Sequence, residues 1–167
     1  MNQEIIASLY EYDIWANTRL LAKAEMLSDE QLHRKFSDGY KPLLENFAHL
    51  AAASWRWYKA LAQEPVAPLS PADFAVLTDS LPAARAKLEG IYAERRAFIA
   101  SLTDEQLHAT ITRTRGDSSY TILLWQGFMQ AANHATQHRS EIAAMLTDLG
   151  QSPGDLDFLW YCLEQRK

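Results

Sequence analysis

The chain has one cysteine, no long apolar run, no glycine-rich phosphate loop and no surplus of basic charge, and each absence removes a class of function. Cys162 has no second thiol to pair with, so an intrachain disulfide is excluded and nothing points to an oxidising compartment. No stretch approaches the roughly eighteen apolar residues that a membrane-spanning helix needs. The opening residues, MNQEIIASLYEYD, carry early acids and no basic leader region, which is not the pattern of a signal peptide. Together these features lead us to expect a cytoplasmic protein. Sixteen Lys and Arg against 21 Asp and Glu give a net charge of −5. With a pI near 5.5, that is the wrong sign for a nucleic-acid surface. Without a phosphate loop, nucleotide use is not expected either.

What is present is helical. At 167 residues, 48% hydrophobic and 22% charged, the chain reads as one globular domain with a substantial core. Residues 3 to 26 place Ile6, Leu9, Asp13, Ala16 and Leu20 at spacings of three and four with no Gly or Pro, which predicts one long helix. A second helix is expected from about Lys41 and Pro42 to about Gln63, because proline suits a first turn. A third should run from about Ser80 or Leu81 to Ala100, and a fourth from about Tyr120 to Leu149, capped by Gly150. The tail DLDFLWYCLEQ reads as a short closing helix, with Leu156, Leu159, Trp160 and Leu163 on one face. Residues 109 to 122, ATITRTRGDSSYTI, read as a small hairpin or an irregular loop turning at Gly116 and Asp117.

These helices predict an all-α four-helix bundle with short connector helices. The linker between the second and third, residues 63 to 80, holds Pro65, Pro68 and Pro71 and is expected to run extended. A long crossover lets the helices it joins run the same way, which suggests an up-down-down-up topology. An internal echo, LSDEQLH (27–33) and LTDEQLH (102–108), is read as two capped connector helices. Ser28 or Thr103 would cap, Gln31 or Gln106 would complete a capping box, and His33 and His108 would be exposed ends rather than site residues.

The histidines carry the chemistry. His134 and His138, in ANHATQHRSEI, lie four apart, so two imidazoles on one helix face can converge on one cation. The spacing is short enough for chance to supply it, and no Glu follows His134 to make a zinc-peptidase motif. A third ligand must come from elsewhere. His49, within NFAHLAAASW, is the best candidate: it sits mid-helix among apolar residues, and Ala51, Ala52 and Ala53 would let a facing helix approach. Alone, it reads as a satisfied core residue more readily than as a ligand; paired with the facing helix, the two readings weigh equally.

YEYDIWANTRLL (10–21), NFAHLAAASWRWY (46–58) and ANHATQHRSEIAAMLTDLG (132–150), taken in that order, resemble the DinB-like superfamily of bacterial bundle proteins across essentially the whole chain. The resemblance implies an up-down-down-up bundle that forms homodimers. It also implies a divalent metal held by one histidine of the second helix and two of the fourth, which carries over to His49, His134 and His138. Imidazoles suit Zn, Ni, Fe or Co, and three protein ligands leave a position open. By the same resemblance, the activity is that of a metal-dependent enzyme that activates a water or a low-molecular-weight thiol for transfer to a small electrophile. The alternative is a metal-binding stress-response dimer without turnover. Glu141, on the stripe of His134 and His138, is a candidate base or an orienting partner of a ligand; a solvated glutamate is the plain alternative. Asp13 is a candidate partner of a ligand histidine or, equally, half of an ion pair to a neighbouring helix. For Arg139, turned about 100 degrees from the ligand face, a structural or interface ion pair is expected. The tryptophans are read first as packing.

Overall fold

A computed structural model describes residues 1–36, 41–65, 69–115 and 117–166, apart from the side chain of Arg115. The elements in order are α1 (Gln3–Ala24), α2 (Asp29–Leu32), α3 (Leu43–Leu61), α4 (Pro71–Asp79), α5 (Leu81–Ser101), α6 (Asp104–Leu107), β1 (Thr110–Arg115), β2 (Ser118–Leu123), α7 (Leu124–Asp148) and α8 (Phe158–Glu164).

Four long helices, α1, α3, α5 and α7, form the bundle, and pairs of side chains fix their directions. Glu11 meets Arg96 and Asn17 meets Tyr92, so α1 and α5 are antiparallel. Lys59 meets Glu94 and Lys87 lies over Trp55, so α3 and α5 run the same way. Asn46 reaches Met145 while Leu61 abuts Gly127, so α3 and α7 are antiparallel. The topology is therefore up-down-down-up, as the long connection suggested.

That connection is not wholly extended. Ser70 accepts from the Asp73 amide, Pro71 occupies the first turn, and α4 forms and buries Leu77. A proline that starts a helix looks, in a sequence, like one that prevents it; Pro68 lies outside the described residues. The two DEQL connectors carry full capping boxes on Ser28 and Thr103. Gly150 takes φ +78 after α7, and the Gln151 amide donates to Leu146 at 2.8 Å, closing the helix end.

The stretch read as a hairpin or a loop is a hairpin, pairing Ile111 with Ile122 and Arg113 with Tyr120. It covers the end of the bundle where Gly127 passes Leu61. A Cβ on Gly127 would lie 2.5 Å from Leu61 Cδ2, so a side chain there would force the Leu61 side chain to move. Gly116, half of the expected turn, is outside the described residues. The closing helix also differs from expectation. α8 docks through Tyr161 onto Tyr12 and Trp15, while Leu159, Trp160 and Leu163 stay exposed. The apolar face read from its spacing is not the face it buries.

Candidate metal centre

His49 projects from the middle of α3 and His134 and His138 from the middle of α7, at the same level of the bundle because the two helices are antiparallel. Ala51, Ala52 and Ala53 of α3 and Ala131, Ala132 and Ala135 of α7 are buried, and Ala53 shares one cavity with the three alanines of α7, where small side chains let the backbones come close. One ligand nitrogen from each of the three histidines lies within 4.8 Å of the others. The His49 and His138 rings stand 4.6 Å apart between centroids, and so do the His134 and His138 rings.

His134 Nε2 and His138 Nε2 face each other at 3.3 Å. Two nitrogens each about 2.0–2.1 Å from a common tetrahedral ion stand about 3.3 Å apart, so the spacing fits a metal. The other nitrogen of His138, Nδ1, lies 3.3 Å from a Glu141 carboxylate oxygen. A carboxylate that accepts from Nδ1–H fixes the tautomer and leaves the Nε2 lone pair free to ligate. Burial, helped by the neighbouring His138, Lys41 and Arg56 charges, pushes His49 below the usual histidine range. Burial, His138 and Arg56 do the same to His134. Both effects favour the neutral imidazole that binds metal.

Beneath the trio is a small cavity of about 20 Å³, room for one water, bordered by Ser54, Trp57, His134, His138, Asp13 and Arg95 among others. Beside it, Glu141 also lines an open groove of about 450 Å³ with Phe36, Ala144 and Met145. The Trp57 ring meets the His134 ring edge-on at 6.5 Å.

Asp13 lies in the wall of the cavity, and its partners are guanidiniums. Its Oδ2 accepts from Arg95 Nη2 at 2.7 Å and its Oδ1 accepts from Arg139 Nη1. Among the described residues, no hydrogen bond joins it to a histidine of the trio. Of the two roles open to Asp13, the ion pair is therefore the one its geometry displays, and Arg95 and Arg139 are the arginines concerned. His33 and His108 stand apart from the trio. Each is exposed and puts Nδ1 2.8 Å from the carbonyl four residues back, Asp29 or Asp104. Gln137 is exposed, and Cys162 packs in part against Tyr12 and Tyr161. Two residues near the trio carry no signal in the sequence: Arg56, whose charge acts on His49 and His134, and Arg113, whose guanidinium lies over Trp57 at 4.4 Å. Arg113 is 56 residues from Trp57 in sequence, so no local pattern announces the pairing.

No curated protein sequence matches this one. Among solved structures the chain is similar to YfiT from Bacillus subtilis, described as a probable metal-dependent hydrolase with an unusual four-helix bundle topology. The two share 21% identity and a TM-score of 0.64 over 88% of this chain and 86% of that one, a likeness of fold. The model of the DinB family matches residues 1–167, the bundle and all three histidines included, and the chain belongs to that family.

Proposed function

We propose that the protein is a metal-dependent enzyme acting on a small molecule, with His49, His134 and His138 holding one divalent metal. The observation that carries this reading is the opposition of His134 Nε2 and His138 Nε2 at 3.3 Å, with His49 closing the third side. Three neutral imidazoles suit Zn, Ni or Fe and leave an open coordination position, the pattern of a catalytic rather than a structural site. A metal so held supplies Lewis acidity and lowers the pKa of a water or a thiol.

The chain's own groups complete the site. Glu141 holds the proton on His138 Nδ1, and its partly exposed carboxylate faces the groove, where it can take up a proton from an incoming nucleophile. Trp57 screens His134 from the hairpin side. The groove is of the size that small-molecule sites use, with apolar walls in Phe36, Ala144 and Met145. YfiT's description supports hydrolysis, while the likeness read in the sequence supports transfer of a low-molecular-weight thiol; both need the same activated nucleophile. A second copy of this chain is the proposed partner, with the oligomeric state measured by analytical ultracentrifugation. The functional test compares metal-loaded and metal-stripped protein on ester and amide substrates and on a panel of thiols (glutathione, bacillithiol, mycothiol, cysteine) with electrophilic acceptors. Turnover that follows metal content is expected. Metal binding without turnover on any of them would favour a non-catalytic metal-binding protein.

A further inference from the structure

The hairpin carries an arginine where its fold calls for an apolar residue. Ile111 and Arg113 are two apart on β1 and so share a face; Ile111 is buried at the end of the bundle, whereas Thr110, Thr112 and Thr114 on the other face are exposed. An aliphatic side chain at 113 would cover that surface without the desolvation that a guanidinium suffers. Arg113 instead lies over the Trp57 indole at 4.4 Å, a cation–π contact that offsets part of the cost. The offset is incomplete. Arg113 Nη1 is buried and has no hydrogen-bond partner among the described residues, and no carboxylate pairs with the side chain. A buried donor without an acceptor calls for a group that is not part of the chain.

We propose that Arg113 is the anion-recognising residue of the substrate site, binding a carboxylate or phosphate group of the molecule that reacts at the three histidines. This rests on the reading of those histidines as a metal centre. Trp57 is the link: one indole contacts the His134 ring and carries the Arg113 guanidinium, so an oxyanion on Arg113 sits one side chain away from the trio. Arg56, next to Trp57 in the chain, adds positive charge close enough to act on His49 and His134. In a chain of net charge −5, this cationic edge is a local exception. The planar fork of a guanidinium matches the two oxygens of a carboxylate or phosphate, and stacking on Trp57 holds that plane in place before a ligand arrives. The substrate would be anchored by its charged end at Arg113, its reacting atom at the histidines and any apolar remainder in the groove beyond Glu141.

The full-length protein, metal-free and zinc-loaded, is titrated in separate arms with inorganic phosphate and with succinate at constant ionic strength. The side-chain Nε–H signal of Arg113, identified by its loss in Arg113→Lys as well as in Arg113→Gln, and the indole signal of Trp57 are followed by NMR. A saturable shift of both signals is expected, and the tighter arm tells phosphate from carboxylate recognition. Arg113→Gln should weaken binding read at Trp57 about ten- to hundredfold, as for a lost charged hydrogen bond, and Arg113→Lys should fall between. If neither anion shifts the Arg113 signal of the wild-type protein saturably, Arg113 is a packing residue and the inference is overturned, whether or not the Gln variant folds. An Arg113→Gln protein that binds as tightly as wild type would overturn it equally. Metal content is measured on the same samples. Loss of metal binding with anion binding intact would count against the metal centre alone, because the metal-free arm does not depend on it.

Discussion

The bundle holds two polar clusters a few residues apart, and they are built in opposite ways. In the first, Asp13 of α1 meets Arg95 of α5 and Arg139 of α7, all three side chains 6% exposed or less. Every strong group there has a partner. Asp13 accepts from both guanidiniums, Arg139 also donates to Thr136, and the faces of Tyr10, Tyr12 and Tyr92 take up the remaining positive charge. In the second, three half-buried imidazoles turn ring nitrogens toward one another, and burial, the largest of several causes, pushes the pKa of two of the rings, His49 and His134, down toward the neutral form. The first cluster is satisfied within the chain and ties three helices together. Among the described residues, the second has only His134, His138 and Glu141 to partner one another, and its three ring nitrogens converge as ligands of one metal would. Polarity inside a bundle does not distinguish a strut from a site; whether the groups are already spoken for does.

Breaking the closed cluster should have the largest effect on stability. Asp13→Ala strands two buried guanidiniums and should cost about 3–5 kcal/mol in chemical denaturation, with metal lost only as a consequence of unfolding. The open cluster should respond in reverse. His138→Ala should leave a folded protein whose melting temperature no longer rises when zinc or nickel is added, because that rise comes from ligand binding to the native state. Glu141→Gln keeps a hydrogen-bonding partner for His138 but removes the charge. Metal affinity should fall about ten- to hundredfold by competition titration, with the fold unchanged.

Acid sharpens the same contrast. His49 and His134 lie below the ordinary histidine value of 6.5 in the folded chain. Metal should therefore stay bound above that value and leave as the pH falls through the lowered range, where the imidazoles take up protons. For the metal-free protein the linkage has the same sign. The unfolded histidines bind protons first, so the stability present above 6.5 is lost as the pH drops further, which denaturation at stepped pH would measure. The smallest effect belongs to the connector histidines: His33→Gln and His108→Gln should change stability by less than about 0.5 kcal/mol and leave metal affinity alone.

Much of the fold is legible in the sequence because it depends on local periodicity. The four long helices, the capping boxes of the DEQL repeats and the Gly150 cap follow from spacings within one or two turns. Because His134 and His138 share a helix, the pair can be read directly; His49 requires knowing which helix faces which. Two features are hidden for a physical reason. α4 starts at a proline whose capping serine looks like any loop serine, and α8 buries Tyr161 because Tyr12 and Trp15 lie beneath it. Arg113 over Trp57 and Arg95 on Asp13 are contacts between distant segments, and nothing near any of these residues announces its partner.

The most direct test of the metal centre is metal stoichiometry, measured by equilibrium dialysis and elemental analysis near neutral pH on protein purified without an affinity tag. The three-histidine centre predicts a single divalent metal per chain in the wild type and none above background in folded His49→Ala and His138→Ala. A wild-type protein that binds no metal, or two variants that keep it, would contradict the centre.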